Sequence, residues 1–159
     1  MPHKKTHESP RRRKVSRQMI DKMLAERQRM LVLMCEVMNL KPYTADKPVK
    51  DSLEEFTSVL VDYIASGHFS LYQRIIDGTE RRQAVLQRAS DFYPAISEST
   101  DMAMEFNDKY GVEWNFHLLD HLAGDLSTLG EKLANRIDLE DQIIAAMLGE
   151  KPQQEQPVI

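Results

Sequence analysis

The chain is short of the residues that build covalent or cofactor-centred folds. Its 159 residues include a single cysteine, Cys35, so no internal disulfide can form. Glycine and proline are thinly spread, with six and seven copies, and only Pro94 falls between residues 49 and 151. Helices can therefore run long without interruption. No stretch approaches the roughly 18 apolar residues of a membrane-crossing helix. The segment after the basic N-terminus mixes apolar and charged residues (Met19, Ile20, Asp21, Lys22, Met23, Leu24), unlike the apolar region of a secretion signal. These absences predict a reduced, soluble, cytoplasmic protein. The strings GxGxxG, GxxxxGK[ST] and GxSxG do not occur, which removes the common phosphate cradles and the nucleophile elbow.

What is present is charge, unevenly placed. Residues 1–17 hold seven Lys/Arg against one acidic residue, which leaves fourteen Lys/Arg and twenty-four Asp/Glu for the remainder, about −10. An acidic body disfavours a groove for nucleic-acid phosphates and suits a basic partner. Direct nucleic-acid binding is not expected, nor is a membrane partner. The basic stretch 11–17 lacks interleaved aromatics and reads as a solvated arm.

Leu, Ala and Met dominate the apolar residues, and their spacing predicts an all-α fold: a four-helix-bundle-like, up-and-down core with extra short helices. Helix boundaries are expected at 16–38, capped by Ser16; 51–66, with Asp51 and Glu54 at its start and Gly67 as its stop; 68–77; a charged helix 79–91; 94–109, opened by Pro94; and 114–148, with Trp114 anchoring its start. A basic flexible arm (1–15), one bundle domain (16–149) and a disordered tail (150–159) complete the organisation.

Polar side chains falling inside apolar helical stripes are the first functional signal, because burying an unpaired charge is costly. Arg27 lies near the middle of a face made by Met19, Ile20, Met23, Leu24, Met30, Leu31, Met34 and Met38. Glu140 sits at the centre of a stripe running from Leu122 through Leu133 and Ile137 to Met147, with Arg136 on its flank. His68 falls among Leu71, Tyr72 and Ile75, and Asp62 among Val59, Leu60, Val61, Tyr63 and Ile64. If these stripes share one interior, Arg27 and Glu140 neutralise each other, while Asp62, Tyr63, His68 and Tyr72 complete a buried polar network.

His117 and His121, four residues apart, share a helical face in the manner of zinc and di-iron ligands. Neither HExxH nor a pair of ExxH strings accompanies them. Cys35, beside Met34, reads as a small buried hydrophobe. No catalytic residue, metal or cofactor is assigned, and the chain does not read as an enzyme. Two alternatives stay open: a metal-binding helical-bundle enzyme using His68, His117, His121 and Glu140, and a small-ligand or protein adaptor with a buried polar pocket.

The segment LVDYIASGHFSLYQRII, residues 60–76, resembles the signature of the Rsd/AlgQ family of bacterial regulators of the housekeeping sigma factor. IDKMLAERQRML (20–31), NLKP (39–42), LSTLGEKLANR (126–136) and LEDQII (139–144) resemble further family segments in the same order. The resemblance spans about residues 18–148. It implies an all-helical anti-sigma factor, without enzyme activity. Such a protein binds the C-terminal promoter-recognition domain of the primary sigma factor and masks its surfaces for core RNA polymerase and the −35 element. It further implies that Asp21, Leu24, Arg27, Asp62, Tyr63, Gly67, His68, Phe69, Tyr72, Arg136, Glu140 and Asp141 match family positions that contact the partner or support the contact. The chain departs from the family pattern at Met23, where tryptophan is frequent, and across 105–121.

Overall fold

The computed structural model describes residues 10–112 and 115–149. Four long helices carry the fold: α1 (Pro10–Met38), α2 (Val49–Leu71), α4 (Gln83–Asn107) and α5 (Leu119–Met147), with a one-turn α3 (Gln73–Ile76) between α2 and α4. A π-helical turn, Asp108–Val112, prolongs α4, and a 3-10 turn, Phe116–Leu118, leads into α5. No strand occurs among the described residues. Trp114 and the expected tail at 150–159 lie outside them.

Each long helix buries one line of residues spaced alternately three and four apart, with half-buried Phe92 filling the step between Ala89 and Ile96 in α4, the spacing that keeps a seam facing the same interior over many turns. In α1 the line is Ile20, Met23, Arg27, Met30, Met34, Val37. In α5 it runs Leu119, Leu122, Leu126, Leu129, Leu133, Arg136, Glu140, Ile143, Met147. α2 contributes Val49, Leu53, Phe56, Leu60, Tyr63, Gly67 and Ser70, and α4 contributes Val85, Ala89, Ile96, Ser99, Ala103 and Phe106. Neighbouring helices run in opposite directions. Ser70 Oγ donates to the carbonyl of Met19, and further along α1 Arg29 pairs with Glu55, which lies earlier in α2. Lys109 of the π-helical turn meets Asp125 of α5, and Lys132 meets Glu98 of α4. The result is the expected all-α bundle, with up-and-down connections.

Several boundaries move. α1 begins at Pro10, ahead of Ser16. α2 does not stop at Gly67 but continues to Leu71, because Gly67 keeps an ordinary negative φ and faces the core; Gly78, with φ +73°, is the left-handed stop. The helices expected at 79–91 and 94–109 are one helix, α4, that passes through Pro94. Proline there lacks the N–H that would bond the carbonyl of Ser90, a cost the helix bears because the buried line continues unbroken on both sides and Pro94 itself is exposed. Cys35 is exposed, not buried. It follows Met34 by one residue and so falls off the seam that Met34 and Val37 occupy.

Candidate functional site

Where the four seams meet at one level, the core is polar. Glu140 is fully buried on α5. One turn earlier on the same helix, Arg136 donates from Nε to Glu140 Oε2 at 3.1 Å. From α1, Arg27 reaches the same carboxylate, donating from Nη2 to Oε1 at 3.2 Å and from Nη1 to Asp141 Oδ1 at 2.7 Å. From α2, Tyr63 donates its hydroxyl proton to Glu140 Oε1. α4 closes the ring, since Arg136 Nη1 donates to Thr100 Oγ1 at 2.7 Å, to Ser99 Oγ at 3.1 Å and to the carbonyl of Ile96 at 3.3 Å. The Arg136 guanidinium also lies 5.7 Å from the centre of the Tyr63 ring.

Two guanidinium cations and two carboxylates thus cancel, and of the four Asp141 is the one largely open to solvent, its side chain 56% exposed. Burial alone would depress ionisation of Arg27, but its hydrogen bond to Asp141 and the charge of Glu140 hold its pKa above the ordinary value. Burial, reinforced by the adjacent Glu140 carboxylate, raises the Tyr63 phenol far above its usual range and keeps it a proton donor. Gly67 allows this packing: a Cβ there would lie 2.9 Å from Glu140 Oε2 and 3.1 Å from Arg136 Nη2.

Of the six residues expected to form a buried network, Arg27, Tyr63 and Glu140 come together, and Arg136 and Asp141 join them. Asp62 and His68 do not belong to it; both are exposed. For His68 the reason is the uninterrupted α2, and for Asp62 it is helical phase. Its buried line passes through Leu60, Tyr63, Gly67 and Ser70, and positions 62, 68 and 69 rotate onto the outer face. Tyr72, at the end of α2, is buried but separate from the ring, donating to the carbonyl of Ala89 at 3.2 Å. Asp21 is exposed and pairs with Arg17 at 3.5 Å, while Leu24 is half-buried against the core. Ile137, expected on the buried stripe, is half-buried, and Arg136 takes its place on the seam. Met19 and Met38, placed on the inner face of α1 by periodicity, are 38% and 46% exposed.

On the outer face of α2 and its continuation, Phe69 is 55% exposed and Ile76 63%, with Tyr93 of α4 at 54% packed edge-on against Tyr72. Asp62 precedes Phe69 by two helical turns on the same face. Within this apolar patch Phe69 is among the positions that the family resemblance singles out, whereas Ile76 and Tyr93 were not named as site residues from the sequence.

The residues of the metal alternative are not brought together. His68, His117 and His121 are exposed, whereas Glu140 is buried and lies about 28 Å along α5 from His121 at 1.5 Å per residue. Among the described residues no group of three or more His, Cys, Asp or Glu side chains could hold a metal ion. No helix among them is long and apolar enough to cross a membrane.

Comparison with known proteins gives a consistent assignment. A family model described as regulator of RNA polymerase sigma(70) subunit, Rsd/AlgQ, matches residues 3–148. A protein of Yersinia enterocolitica named regulator of sigma D is 36% identical over 133 residues, covering 81% of this chain and 80% of the relative. Proteins of the same name from Yersinia pseudotuberculosis and from an Enterobacter species are 35% and 32% identical, covering 81% and 84% of this chain and 79% and 82% of the relatives. No solved structure matches the chain. With its four-helix core organised around the Arg27–Glu140–Arg136 ring, the chain belongs to the Rsd/AlgQ family of regulators of the RNA polymerase sigma(70) subunit.

Proposed function

We propose that this protein is a cytoplasmic anti-sigma factor, not an enzyme. It binds the C-terminal promoter-recognition domain of the primary sigma factor one to one and so blocks that domain's access to core RNA polymerase and to the −35 element. The observation that carries the reading is the exposed patch of Phe69, Ile76 and Tyr93 on an otherwise acidic body. A domain that reads DNA through a helix-turn-helix presents cations for phosphates, and an acidic rim around an apolar centre complements it.

In this reading Asp21, Asp62, His68 and Phe69 face the partner. Leu24 and Tyr72 back the surface, with Tyr72 supporting Tyr93. Arg27, Tyr63, Arg136, Glu140 and Asp141 hold α1, α2 and α5 in register beneath it. The test is titration of the isolated sigma domain with the Phe69→Ala and Asp62→Ala variants. Each variant weakens binding at least about fivefold, the loss expected of an interface residue worth more than about 1 kcal/mol, with an unchanged melting temperature. Wild-type affinity in both would remove the patch from the interface.

A further inference from the structure

Where α5 passes the end of α4, the two helices enclose a recess of about 200 Å³, open on one side. Met102, Phe106 and Leu129 give it an apolar floor, and Glu105, Lys109, Asp125 and Thr128 a polar rim. Its form follows from the π-helical turn Asp108–Val112. Consecutive residues of a regular helix point about 100° apart. Here Lys109 and Tyr110 both donate to Oδ2 of Asp125, the lysine at 2.7 Å. Tyr110 is buried, so its hydroxyl holds the Asp125 carboxylate in one place. Because Lys109 turns to α5, Glu105, one turn before it, is left without a cation. Among the described residues nothing pairs with Glu105 and nothing donates to Oδ1 of Asp125.

These features select an occupant. Two carboxylates against one ammonium give the rim a net charge of −1, on a body already acidic, so a cation is drawn in and an anion repelled. An apolar cavity of about 150 Å³ holds one benzene ring, so this recess takes a single ring with a short chain. The floor favours an aromatic ring over an aliphatic one. The Phe106 ring lies 4.6 Å from that of Tyr110 and 5.8 Å, edge-on, from that of Phe56, and Met102 adds a thioether. Glu105 is adjacent to Phe106 on α4, and Asp125 stands one turn, about 5.4 Å, from Leu129 on α5, which a two-carbon spacer between ring and nitrogen spans.

We infer that this recess binds a small arylalkylamine, its ammonium shared by Glu105 and Oδ1 of Asp125 and its ring laid against Met102, Phe106 and Leu129. The site is separate from the buried ring of charges, since Leu129 lies about 16 Å along α5 from Glu140. Glu105, Phe106, Lys109 and Tyr110 also fall in the segment where the chain departs from the family pattern. The inference does not rest on sigma binding.

The experiment is calorimetric titration of the full chain with phenethylamine. His121, one turn before Asp125, adds charge beside it only when protonated, so the titration is run at about pH 8, above the usual range of imidazole. The expected result is a one-to-one isotherm with Kd below about 1 mM. Phenethyl alcohol, of the same shape without the charge, binds at least about tenfold more weakly, and so does phenethylamine to the Glu105→Gln variant, which loses a hydrogen bond to a charged group. Thr128→Trp, a change at an exposed position of the rim, fills the recess and abolishes binding with helical content and melting unchanged. No saturable binding up to about 10 mM amine, an alcohol that binds as well as the amine, or wild-type affinity in either variant would overturn the inference.

Discussion

The hydroxyl of Tyr63 on α2 donates to Oε1 of Glu140 on α5, a buried contact between residues 77 positions apart that ties the first helical pair to the second. Around it, Arg27 and Arg136 complete a net-neutral ring in the middle of a leucine- and methionine-lined core. Such a ring stabilises less than well-packed apolar residues of the same volume would, yet removing one member strands the others.

Glu140→Ala leaves two buried guanidinium groups without their shared partner. The variant loses about 3–5 kcal/mol of unfolding free energy, the cost of breaking a buried pair, measured by urea denaturation. A loss under about 1 kcal/mol would show that water repairs the site.

Tyr63→Phe removes only the hydroxyl and costs about 1.5–3 kcal/mol, the range for a hydrogen bond to a charged group. Combined with Glu140→Gln in a double-mutant cycle, the two changes couple by at least about 0.5 kcal/mol. Strict additivity would mean that the two side chains act independently.

Gly67→Ala favours helix intrinsically by about 1 kcal/mol, but its methyl meets Glu140 Oε2 at 2.9 Å and Arg136 Nη2 at 3.1 Å. Overpacking of this kind costs about 1–3 kcal/mol, so the net effect is a lowered melting temperature. A raised one would show that the ring yields freely.

Glu80 follows the turn at Gly78 and is buried. Burial pushes its pKa upward, but hydrogen bonds from the Arg82 side chain and backbone outweigh that and hold it below its ordinary 4.5. The unfolded chain therefore takes up this proton at higher pH than the folded one. The stabilisation is present above about pH 4.5 and is lost as pH falls below it. Melting temperature drops on acidification through this range, and Glu80→Gln flattens the drop. An unchanged acid profile in the variant would remove Glu80 from the account.

Much of the ring is readable before any coordinates. Arg27 and Glu140 interrupt long apolar seams whose three-and-four spacing is regular on both sides, and an interrupted seam is visible in one helix alone. Asp62 is misread because apolar neighbours in sequence surround it although it lies off the line through Leu60 and Tyr63, and His68 because Gly67 resembles a helix stop. Only its packing against Glu140 and Arg136 shows that it is a close-approach residue inside α2. Ser99 and Thr100, which bond Arg136 from α4, carry no signal in sequence because small hydroxyl residues are unremarkable in a helix until a partner faces them. Pro94 misleads for a related reason. Its local preference for a helix start yields to a buried line that spans both sides of it.

The most direct test of the central claim is calorimetric titration of the full chain with the isolated C-terminal domain of the primary sigma factor at low and at raised salt. The account predicts a one-to-one complex that weakens as exposed charges are screened, over a Debye length of about 10 Å at 0.1 M salt. No heat of binding at low salt, from protein whose helical content and melting are intact, would contradict it.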